Sequence, residues 1–359
     1  MRDPSTSREP ALGLTREDLR LHVSRLGAQA FRGDQVFRWM HASGVLDPSA
    51  MNNLPRELRE SLADGLDFAA PRVVDRVSSG DGTEKISLEL ADGYRIESVL
   101  ILSSEGDEQA AVTLCVSTQV GCRVRCRFCR SGLEGFRRNL EASEIVGQVA
   151  AARLDGARIN RVVFMGIGEP LDNEEMLHRS IRILSDGEGV ALAPRRLVVS
   201  TVGRPEAMIR LGEAFGGRVG LAVSLHAADP GLRARIVGAG RAAGPAEVLE
   251  AARAYPLPPR ERVTVEVVLV RGLNDSALAA ADLAAALKGL RCRVNLIPLN
   301  PFEGLDMEPP GRQTVQAFQG LLDSAGFPTF VRRRRGARIL ASCGQLAFGG
   351  SRTKEFRDD

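Results

Sequence analysis

The first part of the chain carries apolar side chains at helical spacing. Thr15 and Asp18 form a capping pair three positions apart at the predicted start of a helix. The apolar face of that helix is predicted to consist of Leu19, Val23 and Leu26. The same spacing returns twice before residue 70. The pattern therefore predicts a small helical module over 15–70, preceded by a polar, flexible tail over 1–14.

After this module the period of the pattern changes to two. Apolar and polar residues alternate over 86–90, Asp92 and Gly93 give a turn signal, and 95–102 alternates again. Two strands joined by a tight turn form a β-hairpin. We therefore predict linking β-strands over 71–105, with a domain boundary near residue 105.

Beyond the boundary, apolar runs typical of strands alternate with helical patterns about six times. The strand-like runs are 112–116, 161–165, 197–200, 219–225, 263–270 and 293–297. Such alternation predicts an α/β fold, a partial or complete parallel (β/α) barrel over 106–346, followed by a C-terminal tail over 347–359. In such a barrel the functional residues lie at the carboxyl ends of the strands.

Composition adds constraints on location and partners. Of the 359 residues, 44% are hydrophobic and 26% are charged, which is ordinary for a globular protein. There is no run of 18 apolar residues and no signal-peptide pattern at the N-terminus, so we expect a soluble, cytoplasmic protein with no membrane partner. The net charge of +3 is too small to require a polyanionic partner.

The distribution of arginine is more informative than the total charge. Six arginines lie between residues 123 and 138, and Arg332–Arg335 form a run close to Cys343. Basic clusters that flank a reactive cysteine suit contacts with nucleic-acid phosphates. The alternative interpretation is a solvated surface with no ligand.

The strongest chemical signal is a cysteine triplet after the first barrel strand. Cys122, Cys126 and Cys129 have the spacing C-x3-C-x2-C. Three thiolates on one loop can each bind one iron of a cubane cluster and leave the fourth iron open to a substrate or cofactor. Two alternatives remain, namely a zinc site completed by a distant fourth ligand and surface thiols without a role.

The segments around this triplet resemble the radical S-adenosylmethionine (SAM) superfamily, and within it the RlmN/Cfr family of RNA methyltransferases. The segments that carry the resemblance are TLCVSTQVGC at 113–122, GFRRNL at 135–140, FMGIGEP at 164–170, LH at 225–226, NLIPLNP at 295–301 and SCGQL at 342–346. The resemblance implies a partial radical SAM barrel, an N-terminal module of the RNA-binding type, a [4Fe-4S] cluster on the triplet, and SAM.

The resemblance also implies which residues bind SAM. Gly168 and Glu169 would hold its amino group, since a carboxylate at a strand end is a suitable partner for an ammonium group. The remaining implied contacts to SAM are Ser200, Ser224, Leu225, His226 and Asn300. For His226, an equally good interpretation is a structural hydrogen-bonding residue.

Three further residues receive catalytic roles from the resemblance. Cys343 would be methylated first, Cys115 would later form a disulfide with it, and Glu97 would accept the proton from the base. The alternatives are a buried spectator thiol at Cys343 and a solvated glutamate on a strand at Glu97. Cys292 fits a structural position and receives no role.

The implied activity is methylation of an adenine, at carbon 2, in 23S rRNA and also in tRNA, through a methylcysteine intermediate. Carbon 2 is neither acidic nor nucleophilic, so a radical made from a second SAM would activate the methyl group. The resemblance thus implies two SAM per turnover and an electron donor such as flavodoxin or ferredoxin. The alternatives are methylation at carbon 8, as in the Cfr branch, and a zinc-stabilised RNA-binding protein without enzymatic activity.

Overall fold

The computed structural model describes residues 8–103, 111–153, 156–238 and 242–350. The predicted domain boundary at residue 105 lies outside these ranges. None of the helices in these ranges is long and apolar enough to cross a lipid bilayer.

The N-terminal module contains three α-helices and two very short strands, together with short 3-10 and π-helical turns. Their bounds are β1 (Glu9–Pro10), α1 (Arg16–Arg25), α2 (Phe31–Phe37), α3 (Arg56–Gly65) and β2 (Leu66–Asp67). The predicted capping box is present, because the Asp18 N–H donates to Thr15 Oγ1 (3.2 Å) and the Thr15 N–H donates to Asp18 Oδ2 (2.9 Å). Leu19 and Val23 are buried as predicted.

Two expectations for this module are wrong. Leu26 is 43% exposed, since α1 ends at Arg25 and Leu26 no longer follows the buried face. The flexible tail does not extend to residue 14, because β1 pairs with β2 in parallel and Leu12 is only 1% exposed. The apolar segment at 11–14 packs against the start of the helix at 142–153. Residues 1–7 lie outside the described ranges.

The predicted hairpin is part of a three-stranded antiparallel meander. Its strands are β3 (Arg72–Ser79), β4 (Thr83–Glu89) and β5 (Tyr94–Leu102). Gly93 has a φ of +85° in the turn before β5, a conformation that glycine adopts without strain. β5 also pairs with the first barrel strand, Val99 lying opposite Cys115. The meander is therefore an extension of the main sheet.

The remaining elements form an α/β unit around a parallel sheet. Its strands are β6 (Val112–Cys115), β7 (Gln119–Gly121), β8 (Phe136–Asn139), β9 (Ile159–Phe164), β10 (Leu197–Thr201), β11 (Gly220–Ser224), β12 (Val263–Leu269), β13 (Cys292–Pro298), β14 (Thr329–Val331) and β15 (Gly349–Gly350). Its helices are α4 (Arg130–Leu133), α5 (Ala142–Arg153), α6 (Glu174–Ser185), α7 (Pro205–Phe215), α8 (Pro230–Val237), α9 (Pro245–Ala254), α10 (Ala277–Ala286) and α11 (Arg312–Ser324).

The strand order confirms a partial barrel. β6 and β9 to β14 are all parallel and follow the order β6-β9-β10-β11-β12-β13-β14, while β5, β4 and β3 continue the sheet beyond β6. In the described part of the chain β14 and β3 do not pair, so the barrel is open. β7 and β8 form a separate small hairpin beside it. Every residue of β12 is buried, as expected for a central parallel strand.

The described start of the predicted C-terminal tail is attached to the barrel. β15 pairs antiparallel with β5, Gly349 lying opposite Arg95. The Ala347 N–H donates to Glu97 Oε2 (2.9 Å), and the Phe348 N–H donates to Glu134 Oε2 (3.0 Å). A free tail from residue 347 is therefore a wrong expectation for 347–350. Residues 351–359 lie outside the described ranges.

Candidate active site

One cavity lies at the carboxyl ends of the parallel strands, where the barrel fold places its functional groups. Ten of the thirteen predicted site residues line it. These ten residues are Cys115, Cys122, Cys126, Cys129, Gly168, Glu169, Ser200, Ser224, His226 and Cys343.

The three other predicted site residues lie elsewhere. Leu225 is fully buried in the core. Asn300 lines a neighbouring cavity, where its Nδ2 donates to the backbone oxygen of Cys343 (3.0 Å). The Glu97 carboxylate lies against Lys85 Nζ (2.9 Å) and accepts the Ala347 N–H. These three side chains therefore contact other parts of the protein and do not line this cavity.

The cysteine triplet lies on a loop between β7 and α4. Burial raises the pKa of Cys122 to about 12 and raises those of Cys126 and Cys129 as well, the neighbouring thiols adding to the effect. Among the described residues, no three ligand side chains converge as they would around a single metal ion. A cubane spreads its ligands more widely, because each thiolate binds a different iron.

Three thiols that line one cavity are a suitable donor set for that cluster. They must lose their protons to bind it, because iron binds the thiolate. The conformation of the chain before the cysteine loop depends on one glycine. Gly121 has a φ of +77°, and a Cβ there would lie 2.0 Å from the backbone oxygen of Gly135.

The turn after β9 brings a buried carboxylate to the cavity. Gly168 has a φ of +112°, and a Cβ there would lie 2.7 Å from the Gln119 side chain. Glu169 is 3% exposed and accepts the N–H groups of Leu171 (3.1 Å) and Val202 (2.9 Å). Burial raises the pKa of Glu169 to about 7, although the hydrogen bonds from Val202 and Thr201 oppose this rise. The carboxylate therefore ties the ends of β9 and β10 together.

Two serines and a histidine continue the wall across the next strands. Ser200 Oγ and Ser224 Oγ are 3.4 Å apart at the ends of β10 and β11. His226 has a φ of +64°, and its Nδ1 accepts the Val268 N–H (3.1 Å). Burial lowers the pKa of His226 to about 3, so the ring is neutral and its proton resides on Nε2. His226 thus has a structural hydrogen bond in addition to its place on the cavity wall.

The two remote cysteines meet in this cavity. Cys115 ends β6 and is 8% exposed, whereas Cys343 is exposed on the loop after β14. Burial, together with the nearby Cys343, raises the pKa of Cys115 to about 12. All six cysteines are free thiols, so the disulfide implied between Cys115 and Cys343 is not formed in this structure.

Two charged residues also line the cavity, although the sequence predicts Arg332 only as a phosphate contact and assigns no role to Glu266. The Arg332 guanidinium lies 3.7 Å from Cys343 Sγ, and the negative charge of a Cys343 thiolate raises the pKa of Arg332. Glu266 is 4% exposed and also lines the cavity. The sequence does carry a signal for Glu266, because it is the one charged residue in the apolar strand VTVEVVL.

Several arginines predicted to contact phosphates instead bind within the chain. Arg138 pairs with Glu144 and Asp92, and Arg130 pairs with Glu134. In the run after β14, Arg334 donates to Asn300 Oδ1 (3.0 Å) and Arg335 donates to the backbone oxygens of residues 102 and 103. These arginines shape the protein around the cavity, so the clusters cannot be treated as uniform phosphate-binding surfaces.

Comparisons with known proteins agree with this fold. The Radical SAM superfamily matches residues 116–284, and the Ribosomal RNA large subunit methyltransferase N-terminal domain matches residues 11–66. A crystal structure of a radical SAM methyltransferase from Sphaerobacter thermophilus is 40% identical, with a TM-score of 0.87, and covers 94% of this chain and 99% of that one. The fold, the cysteine loop and these matches define a radical SAM protein.

Sequence relatives narrow the family further. The chain is 44% identical to the dual-specificity RNA methyltransferase RlmN of Sorangium cellulosum, over 95% of this chain and 96% of that protein. It is 43% identical to the RlmN of Syntrophobacter fumaroxidans, over 92% of this chain and 96% of that protein. The chain belongs to the RlmN family.

Proposed function

We propose that the chain is a radical SAM RNA methyltransferase that methylates carbon 2 of an adenine in 23S rRNA and in tRNA. Its relatives include dual-specificity RNA methyltransferases, which supports both rRNA and tRNA as substrates. The observation that carries the proposal is the convergence of Cys115, Cys343 and the cysteine triplet on one cavity. Two thiols placed beside a cluster site are what a methylcysteine mechanism requires.

The residues of the cavity divide into a binding set and a reacting set. When bound, the [4Fe-4S] cluster and SAM supply the methyl group and the radical chemistry that an unreactive ring carbon demands. Cys122, Cys126 and Cys129 would hold the cluster. Gly168 and Glu169 would hold the SAM amino group, with Ser200, Ser224 and His226 completing the wall. Leu225 and Asn300 were expected to contact SAM, but we propose that they support the wall from behind, since Leu225 is buried in the core and Asn300 binds the backbone of Cys343.

Cys343 is the residue that receives the methyl group in this proposal. Its thiolate would attack the methyl carbon of a first SAM, which would leave as S-adenosylhomocysteine, and the Arg332 guanidinium beside Sγ attracts the negative charge of that thiolate. The Asn300 hydrogen bond to the Cys343 backbone oxygen holds the loop in place. A second SAM per turnover would activate the methyl group for addition to the base.

Cys115 and Glu97 complete the reaction after the base is bonded to Cys343. Glu97 shares one face of β5 with Val99 and Ile101, which line the cavity, and it would accept the proton from the adenine carbon. Once the adduct has also given one electron to the cluster, Cys115 would attack the Cys343 sulfur as a thiolate, which forms a disulfide and breaks the bond from that sulfur to the methylene carbon. The released carbon takes up a proton and becomes the methyl group of the base. A flavodoxin or ferredoxin would supply electrons in the cytoplasm, and reduction of the disulfide would return both thiols.

Mass spectrometry of nucleosides tests this function directly. Purified, cluster-loaded protein is incubated with SAM, a reductant and either 23S rRNA or tRNA, and the digested RNA is analysed. We expect 2-methyladenosine in both RNAs. If 8-methyladenosine is found instead, the carbon-8 alternative is correct. If the protein contains zinc without iron and produces no methylated nucleoside, the non-enzymatic RNA-binding alternative is correct.

A further inference from the structure

Glu266 has an unusual environment for a carboxylate. It lies in the middle of β12, it is 4% exposed, and it faces the cavity that holds Cys343. Its Oε1 accepts a hydrogen bond from Asn295 Nδ2 (2.9 Å), but its Oε2 is buried and has no hydrogen-bond partner among the described residues. Burial raises the pKa of this carboxyl group, although the charge of Arg332 and the hydrogen bond from Asn295 oppose the rise.

A buried carboxylate oxygen without a donor is costly, so a donor from a ligand would offset this cost. The nearest charged group does not supply it, because Arg332 Nη1 is 3.9 Å from Glu266 Oε2, beyond hydrogen-bond distance. The same Nη1 is 3.7 Å from Cys343 Sγ. Acceptor, donor and sulfur therefore follow one another along the cavity wall in the order Glu266, Arg332, Cys343.

This order is complementary to one edge of adenine. Along that edge the base presents an amino donor at N6, an acceptor at N1 and then carbon 2. A carboxylate accepts from an amino group, a guanidinium donates to a ring nitrogen, and the sulfur must reach the carbon. The other edge of adenine presents the same order of groups, namely the N6 amino donor, the N7 acceptor and carbon 8. The arrangement can therefore select adenine over other bases, but it does not select between carbon 2 and carbon 8.

We propose that Glu266 and Arg332 form an adenine-selecting pair, in which Glu266 Oε2 accepts the N6 amino group and Arg332 donates to the adjacent ring nitrogen. This inference rests on the proposed function, because it identifies how that function selects its base. Guanine and hypoxanthine are rejected on the N1 edge, since they present an oxygen to the carboxylate and an N–H to the guanidinium. A base extruded from its stack is commonly recognised by such edge contacts.

The pair is tested by a double-mutant cycle in which one change is made in the protein, at Glu266, and the other in the RNA, at the amino group of the target base. The two RNAs are identical hairpins that carry either adenosine or purine riboside, which lacks the amino group, at the methylated position. Each is assayed for kcat/KM with the parent protein and with Glu266→Gln, which has the same shape. Since Asn295 donates to Oε1, the Gln amide oxygen would face Asn295 and its NH2 group would face the base as a donor. Glu308→Gln, at an exposed ion pair, is the matched control.

The parent protein should prefer adenosine over purine riboside by about 10- to 150-fold, as expected for a hydrogen bond to a charged group. Glu266→Gln should reduce this preference to less than about threefold, mainly through a loss of activity on adenosine. Glu308→Gln should retain the parent preference. Effects of the missing amino group on ring reactivity cancel in the comparison, because both proteins act on the same two RNAs.

The other outcomes overturn the inference in recognisable ways. An unchanged preference in Glu266→Gln, or an equal loss on both RNAs, shows that Glu266 does not contact the amino group. Weaker SAM binding to the cluster-loaded variant in equilibrium dialysis assigns Glu266 to the cofactor instead. A parent protein that methylates neither RNA overturns the proposed function, and this inference with it.

Discussion

The two thiols that we propose to react lie in different environments. Cys115 is enclosed at the end of β6, and its pKa of about 12 keeps it protonated at neutral pH. Cys343 is exposed on a loop, with the Arg332 guanidinium beside its sulfur. This arrangement suits an order of steps in which Cys343 reacts first. Cys115 would act later, after the Cys115 thiol has lost its proton.

The first prediction is that variants of Cys343 and Cys115 fail at different stages of the reaction. Cys343→Ala should form no protein–RNA adduct, because the residue that bonds to the base is missing. Cys115→Ala should accumulate covalently attached RNA, because the bond forms but the thiolate that breaks it is absent. Denaturing gels with and without nuclease measure the attached RNA. The two-cysteine mechanism is wrong if folded, cluster-loaded Cys115→Ala carries no RNA.

The second prediction concerns the cluster loop. Cys126→Ala should lose both bound iron and SAM cleavage, because two thiolates do not hold a cubane securely. Iron analysis and the quantity of cleaved SAM are the two measurements. Cys292→Ala is the matched control, since Cys292 is buried at the start of β13, away from the cavity. Full iron content with normal cleavage in Cys126→Ala would contradict the assignment of this residue.

At the scale of elements, most of the barrel is predictable because its strands are apolar and its helices periodic. β6 and β9 to β13 occur where the apolar runs predict them, and helices lie between most of these strands, as the alternation predicts. β14 has only three residues and precedes an arginine run, so no periodicity can reveal it. The partners of Leu225 and Asn300 come from distant segments and therefore depend on packing that local sequence does not encode.

The third prediction resolves the arginine run after β14 into separate roles. Arg333→Ala should lower the slope of log affinity against log salt by about 0.7 to 0.9, the effect of one phosphate contact, because no partner within the described residues holds its side chain. Arg335→Ala should instead destabilise the fold, since Arg335 binds the backbone oxygens of residues 102 and 103. RNA binding across a salt series and thermal unfolding measure the two effects. If Arg333→Ala leaves the slope of log affinity against log salt unchanged, Arg333 is a solvated surface residue that does not contact a phosphate.

At the scale of the whole molecule, arginine side chains hold the N-terminal module on the barrel through backbone oxygens and carboxylates. Arg179 on α6 donates to the backbone oxygen of Gly13 (2.6 Å) and to Asp18, and Arg16 pairs with Asp186 (3.0 Å). The sequence predicts the module itself from its helical spacing. It does not predict this docking, because each contact joins residues that are far apart in the chain.

The last prediction tests the contribution of this docking to stability. Arg153 at the end of α5 donates from Nη1 to the backbone oxygen of His41 (2.5 Å) and from Nη2 to that of Ala42 (2.8 Å). Arg153→Met keeps much of the side-chain packing but removes both donors, and it should lower the free energy of unfolding by about 1.5 to 3 kcal/mol, the range for a hydrogen bond to a charged group. Arg210→Met, which breaks an exposed pair with Glu174, should change it by less than about 1 kcal/mol. Urea unfolding of both variants provides the comparison, and equal stabilities would show that the Arg153 contacts do not hold the module in place.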